Sequence, residues 1–256
     1  MNFSLVQAAP EISEPLTRGY LLIEPATLAH APDLAALNRR PCVPSALVHR
    51  EELMPQLVDL TVLDDNARLR AAASWMAERH AEHPPVICAW LDSEAAVDVV
   101  AEHIARALVG CGVADQPVFW RYYDPRVLAL TLAVFDPAQR QALLGPIRVW
   151  RFAWAGHHWS FAGVDAKPAL ADPPPGWPRE AQWSRINRSE AADRVLRRLP
   201  SLSLRQAACL PAVLDRTFSE LARSGDTLDV DALVALALPR VRRELALDAD
   251  NRGTNL

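Results

Sequence analysis

The chain has 256 residues, half of them hydrophobic and 23% charged, with a formal net charge of −4. That is the profile of a globular chain long enough to bury a real core, and the mild negative charge gives no general reason to expect a nucleic-acid partner. Its four cysteines, Cys42, Cys88, Cys111 and Cys209, form no C-x-x-C pair, which suits a reducing compartment. The first fifteen residues lack a basic start followed by an apolar core, and no apolar run reaches bilayer length, so a cytoplasmic protein with no membrane partner is expected.

In chain order, 20-YLLIEPA-26 reads as a buried strand and 57-LVDLTVL-63 as a second. Residues 64–83 follow as a helix capped by Asp64 or Asp65, with Leu69, Ala72, Ala73 and Met76 on its apolar face and Pro84-Pro85 as its stop. A third strand, 86-VICAWLD-92, leads to a helix opened by Ser93, with Val97, Val100, Ala101, Ile104 and Leu108 on one face. The 110-GCG-112 stretch reads as a turn before a fourth strand, 118-VFWRYY-123. Strands alternating with helices predict an α/β layer on a mixed, largely parallel sheet with flanking helices.

Residues 147-IRVWRFAW-154 and 157-HHWSFAG-163 alternate around 155-AG-156, the pattern of a hairpin. The run 172-DPPPGWP-178 reads as a linker, its prolines too dense for helix or sheet. Everything beyond it reads as a C-terminal all-helical lobe: a helix from Ser189 closed by Pro200, a longer one opened by the capping-box form 203-SLRQ-206, and a last one from Asp229 or Asp231 that Pro239 should kink or divide. The resulting division is an α/β lobe over 1–171, a linker over 172–178 and a helical lobe over 179–256.

Enzyme signatures are sparse. His80 and His83 are spaced for one helix face but have no partner pair nearby, and 157-HH-158 sits beside a hairpin turn; both read as solvated polar positions rather than metal ligands. There is no G-x-S-x-G elbow, P-loop or G-x-G-x-x-G. Cys88 reads as a small core residue. A small α/β enzyme with Asp92, Arg121, Asp124 or Arg126 at the strand C-termini is the alternative reading. No cofactor and no metal are expected.

The segment 119-FWRYYDPRVL-128 carries the densest chemistry. Asp124 before Pro125 is a helix start, with the carboxylate as N-cap and the proline at N1, and 136-DPAQ-139 repeats the device. Arg121 shares a strand face with aromatics and needs an acceptor: Asp124, Glu24 or a helix C-terminus. Arg126 stands in a first helical turn, where a cation needs a carboxylate.

These residues, followed by 139-QRQALLGPI-147, resemble the aromatic-arginine-aromatic-tyrosine-DPRVL and Gly-Pro signature of a domain of unknown function found in type VI secretion adaptors. The resemblance spans 18–150 and includes 20-YLLIEPA-26, where Glu24 replaces the usual aspartate, and 86-VICAWLDS-93, where Pro84-Pro85 replaces the frequent Trp-Gly. Its signature residues here are Arg121, Tyr123, Asp124, Pro125, Arg126, Gly145 and Pro146. The resemblance implies a non-catalytic cytoplasmic chaperone that binds a secreted effector and helps load it onto the VgrG spike. Recognition of the effector is expected on the helical lobe, through the apolar stripe Leu210, Leu214, Phe218 and Leu221, unless those helices only complete the core.

Overall fold

The computed structural model describes residues 4–7, 16–163, 176–223 and 228–246. Its elements run β1 (Val6–Gln7), β2 (Tyr20–Ile23), α1 (Pro32–Ala35), β3 (Arg40–Pro41), β4 (Gln56–Asp59), α2 (Asp65–Glu78), β5 (Ile87–Asp92), α3 (Val97–Arg106), β6 (Val109–Cys111), β7 (Pro117–Phe119), α4 (Pro125–Val134), α5 (Pro137–Leu144), β8 (Val149–Trp154), β9 (His157–Ala162), α6 (Glu180–Ile186), α7 (Ser189–Leu196), α8 (Leu204–Ala222) and α9 (Val230–Glu244). They fall into two compact units. The first takes its residues from 6–125 and 136–177, the second from 1–5, 126–135 and 178–256.

The first unit is built on a seven-stranded sheet in the order β1-β9-β8-β5-β2-β4-β3. Every pairing in it is antiparallel, so the expected largely parallel sheet does not form. The reason lies in one strand. β4 and β5 both run antiparallel to β2, so they point the same way and α2 does cross from one to the other. But β2 occupies the place between them, a split crossover. A second cue misled as well. β2 is buried at every position, and its unbroken YLLI run is the pattern expected of parallel strands covered on both faces. Here helices and aromatics cover both faces of an antiparallel sheet.

On one face Leu21, Ile23, Val58 and Ile87 pack with Ala71 and Trp75 of α2. On the other, Tyr122 lies 5.9 Å from Trp150, which in turn stacks on Phe161. The buried stripe of α2 is Ala67, Ala71 and Trp75, at i+4 spacing, while the expected Leu69 is 61% exposed. Trp75 sets that face, because its ring stacks on His158 and meets the edge of Trp90. Asp64 caps the helix as expected, accepting from Ala67 N at 2.7 Å. The helix stops at Glu78, well before Pro84, because the Glu78 carboxylate turns aside to accept from Val86 N (3.1 Å) and Ile87 N (2.7 Å) of the next strand.

The fourth strand also differs. β7 ends at Phe119 and pairs with β6, which includes Gly110, in a separate two-stranded ribbon; residues 121–124 then form a turn. The hairpin forms as read: β8 and β9 pair from Val149↔Ala162 to Trp154↔His157, and the turn residues Ala155 and Gly156 have φ of 50° and 82°. Of the expected linker, 172–175 lie outside the described residues. Trp177 is buried and anchored, its indole donating to Cys111 O at 2.8 Å and meeting Trp120 edge-on.

The second unit gathers α4 with α6–α9. Gln182 of α6 donates to Val134 O of α4 at 3.3 Å. The Ser203–Gln206 capping box opens α8 as expected, and Asp229 caps α9. Pro239 sits inside α9 without dividing it. Arg185 of α6 grips Asp215 of α8 with two bonds, at 2.9 and 2.5 Å. Among the described residues no helix is long and apolar enough to cross a membrane.

Candidate functional site: the cluster around Glu24

β2 ends at Ile23, and Glu24 follows as the N-cap of a 3-10 segment over Pro25–His30. Its backbone N–H donates to Val86 O at 2.9 Å, which fixes it against the start of β5. Thr27 reinforces the turn, its hydroxyl donating to Glu24 O and to Pro85 O. The Glu24 carboxylate then divides its work. Oε1 accepts from Ala26 N at 3.2 Å, while Oε2 accepts from Arg121 Nη2 at 2.6 Å and from the Tyr123 hydroxyl at 3.0 Å.

The same Arg121 nitrogen lies 3.7 Å from Asp124 Oδ2. The guanidinium also sits 5.9 Å from the centre of the Tyr123 ring. Both carboxylate side chains are 5% exposed and Arg121 is 43% exposed. Arg121 thus finds the acceptor that its place among aromatics demanded, and two of the three candidate partners supply it. The turn brings this about: Asp124 N donates to Arg121 O, and both Tyr122 and Tyr123 are buried.

Burial, and then the adjacent Glu24 charge, push the Tyr123 hydroxyl above its ordinary range. Cys88, fully buried beside this cluster, is held well above a normal thiol by burial and then by Asp124 and Glu24. It stays protonated and is no nucleophile. For Arg121, burial opposes the charge, but Tyr123, Glu24 and Asp124 outweigh it and raise the pKa. Each oxygen of Glu24 is occupied by a group of the protein itself, and of the side chains of Glu24, Arg121, Tyr123 and Asp124 only that of Arg121 is exposed. The arrangement is a brace joining the end of β2 to the 121–124 turn. Pro125 begins α4 directly after the buried Asp124, and Arg126 is half-buried in its first turn.

Gly145 and Pro146 make a second joint. Gly145 ends α5 at φ 52°, and a Cβ there would stand 2.2 Å from the His103 ring. His103 of α3 is buried and its Nε2 lies 2.9 Å from Leu143 O. Ser93 does not cap α3; its hydroxyl donates to Pro146 O at 2.7 Å and accepts from Ala95 N. So Gly-Pro ties α5 to α3 and to the end of β5.

Asp92, the other carboxylate considered for an enzyme, lies at that end of β5. It is 5% exposed and held by Arg148 (2.8 Å) and Arg18 (3.5 Å). The Glu24 cluster, with Asp124, is at the opposite end, where Ile23 pairs with Ile87. Five residue steps of strand, about 17 Å, separate the two ends. The carboxylates of the enzyme reading therefore do not converge. His83 stacks on His30 and His158 on Trp75. Among the described residues no three potential ligands gather around a possible metal.

Residues 20–142 match the family model of a domain of unknown function, DUF4123. No curated protein and no solved structure matches the chain. The DUF4123 match starts at the first residue of β2 and ends within α5, so it takes in Glu24, Arg121, Tyr123, Asp124, Pro125 and Arg126, and stops short of Gly145 and Pro146. Glu24 stands where the resemblance expected an aspartate, and it is the hub of the brace. Leu210, Leu214, Phe218 and Leu221 are 0–3% exposed, packed inside the second unit. The Asp92–Arg148 pair had no sequence signal beyond two opposite charges 56 positions apart.

Proposed function

We propose that the chain is a type VI secretion adaptor, a cytoplasmic protein that binds an effector and assists its loading onto a VgrG spike. The observation that carries this reading is the DUF4123 match over a segment in which Arg121 and Tyr123 both engage Glu24. A catalytic cluster keeps a titratable group poised toward a cavity. In this one the carboxylate is saturated, the tyrosine and thiol are held protonated, and the guanidinium is neutralised. Such a joint serves a scaffold whose work is binding. The stripe on α8 is used up in packing, so the effector's surface is to be sought among exposed residues.

The test is co-expression of the chain with the toxin encoded beside it and with the neighbouring spike protein. The toxin should co-purify with the tagged chain, and its capture by VgrG should require the chain. A toxin that elutes alone, and reaches VgrG equally well without the chain, sinks the proposal. Removing residues 179–256 is a poor substitute for this test, because it strips α4 of the helices it packs with.

A further inference from the structure

β3 is an outermost strand of the seven-stranded sheet, and just beyond it Ser45–Leu53 winds in 3-10 turns that bury none of their residues. Val48 is 63% exposed there and Leu53 51%. Between this segment and α3 runs a groove of about 420 Å3. Its floor is Ala101 and Ala105 of α3, small residues that leave the space open, and Val43 and Val48 form its apolar wall. A second recess of about 550 Å3 shares Pro41 and Glu51 with it and extends to Glu52 and Leu37.

The charge around these recesses is uneven. Asp98 is neutralised by Arg40 at 2.8 Å and Glu102 by Arg106 at 2.5 Å. Arg39 is spent on Gln56 Oε1 and on Leu34 O. Glu51 and Glu52, both exposed, have no cation paired with them among the described residues. A groove with an apolar wall, Glu51 on its rim and Glu52 in the adjoining recess suits a ligand that is apolar at one point and basic beside it. Addition of a strand is disfavoured, because β3 has only two residues and Pro41 offers no N–H. Side chains must therefore do the docking.

We infer that this groove docks a basic segment of a partner protein, an aliphatic side chain entering between Val48 and the alanine floor while lysine or arginine meets Glu51 and Glu52. The inference rests on the adaptor reading only in taking that partner to be the effector.

The full chain is tested by fluorescence anisotropy against a short labelled peptide of leucine and lysine at helical spacing, and against the same peptide with glutamate for lysine. Two groove variants are Val48→Asn and the double change Glu51→Lys with Glu52→Lys. Leu69→Asp, on the exposed face of α2, is the control. All four positions are exposed, and circular dichroism with thermal melting checks that each variant folds. The lysine peptide should bind the parent chain, weaken about tenfold or more in both groove variants and with added salt, and be unaffected by Leu69→Asp. Equal binding by the groove variants, or equal binding of the glutamate peptide, overturns the proposal. The same variants then enter the co-purification. Loss of the toxin in the groove variants alone supports the groove as its site. Retention in all of them overturns that assignment and leaves the adaptor reading standing. If the parent chain captures no toxin, the adaptor reading falls, and the peptide result still decides the groove.

Discussion

Replacing Glu24 by alanine removes the hub of the brace. Three consequences can be weighed separately. The Tyr123 hydroxyl loses its acceptor in a buried site, which costs about 1–3 kcal/mol. The cap of the 3-10 segment goes, about 1 kcal/mol or less because Ala26 is exposed and its N–H can turn to water. Arg121 loses its nearest partner but keeps Asp124 and is 43% exposed, so its share is small. Relief from burying a carboxylate offsets part of this, leaving a net loss of about 2 kcal/mol for Glu24→Ala. Glu24→Gln keeps an oxygen for Tyr123 and should cost about half as much. In a double-mutant cycle with Arg121→Ala, the coupling should be about 1–2 kcal/mol, below the 3–5 kcal/mol of a pair buried on both sides. Urea unfolding followed by tryptophan fluorescence is the assay, because every tryptophan except Trp183 lies in the first unit. A loss under about 1 kcal/mol for Glu24→Ala, or a coupling near zero, would refute the brace.

Gly145→Ala should be strongly destabilising, by about 3 kcal/mol or more, since the new methyl meets the His103 ring in a backbone conformation that L-residues avoid; a Tm within about 2 °C of the parent would contradict this. Arg148→Ala leaves Asp92 buried with only the exposed Arg18 nearby and should cost about 2–3 kcal/mol by the same urea assay, with Arg18→Ala costing under about 1 kcal/mol; equal losses would count against the assignment. Burial lowers the pKa of His103. The unfolded ring takes its proton near pH 6.5 and the folded ring resists it, so this contribution is complete above that pH and is lost as pH falls below it. Stability should therefore drop between pH 7 and pH 5, with His158 acting in the same direction. His103→Gln, whose amide can still reach Leu143 O, should shallow that slope; parallel slopes for the two proteins would sink the attribution.

Local chemistry was legible in the sequence at most caps and at the hairpin turn, though Ser93 and Ser189 did not cap the helices expected of them. The caps at Asp64, Asp136, Ser203 and Asp229 and the hairpin turn at Ala155-Gly156 formed as their spacing required, because a cap or a tight turn is settled within four residues. The need of Arg121 for an acceptor was legible too, since a guanidinium among aromatics cannot go unpaired. What only the tertiary structure decided was which distant groups meet. Period and composition show that β4, α2 and β5 form a crossover, but not that β2, earlier in the chain, inserts between those strands and makes every pairing in the sheet antiparallel. Likewise they show a carboxylate at Glu24 and a cation at Arg121, 97 positions apart, and leave their meeting to the fold. Backbone pairing carries no mark of strand order, and ion pairing carries none of its partner's address. Both are set when the chain buries its apolar surface, and that is a property of the whole first unit.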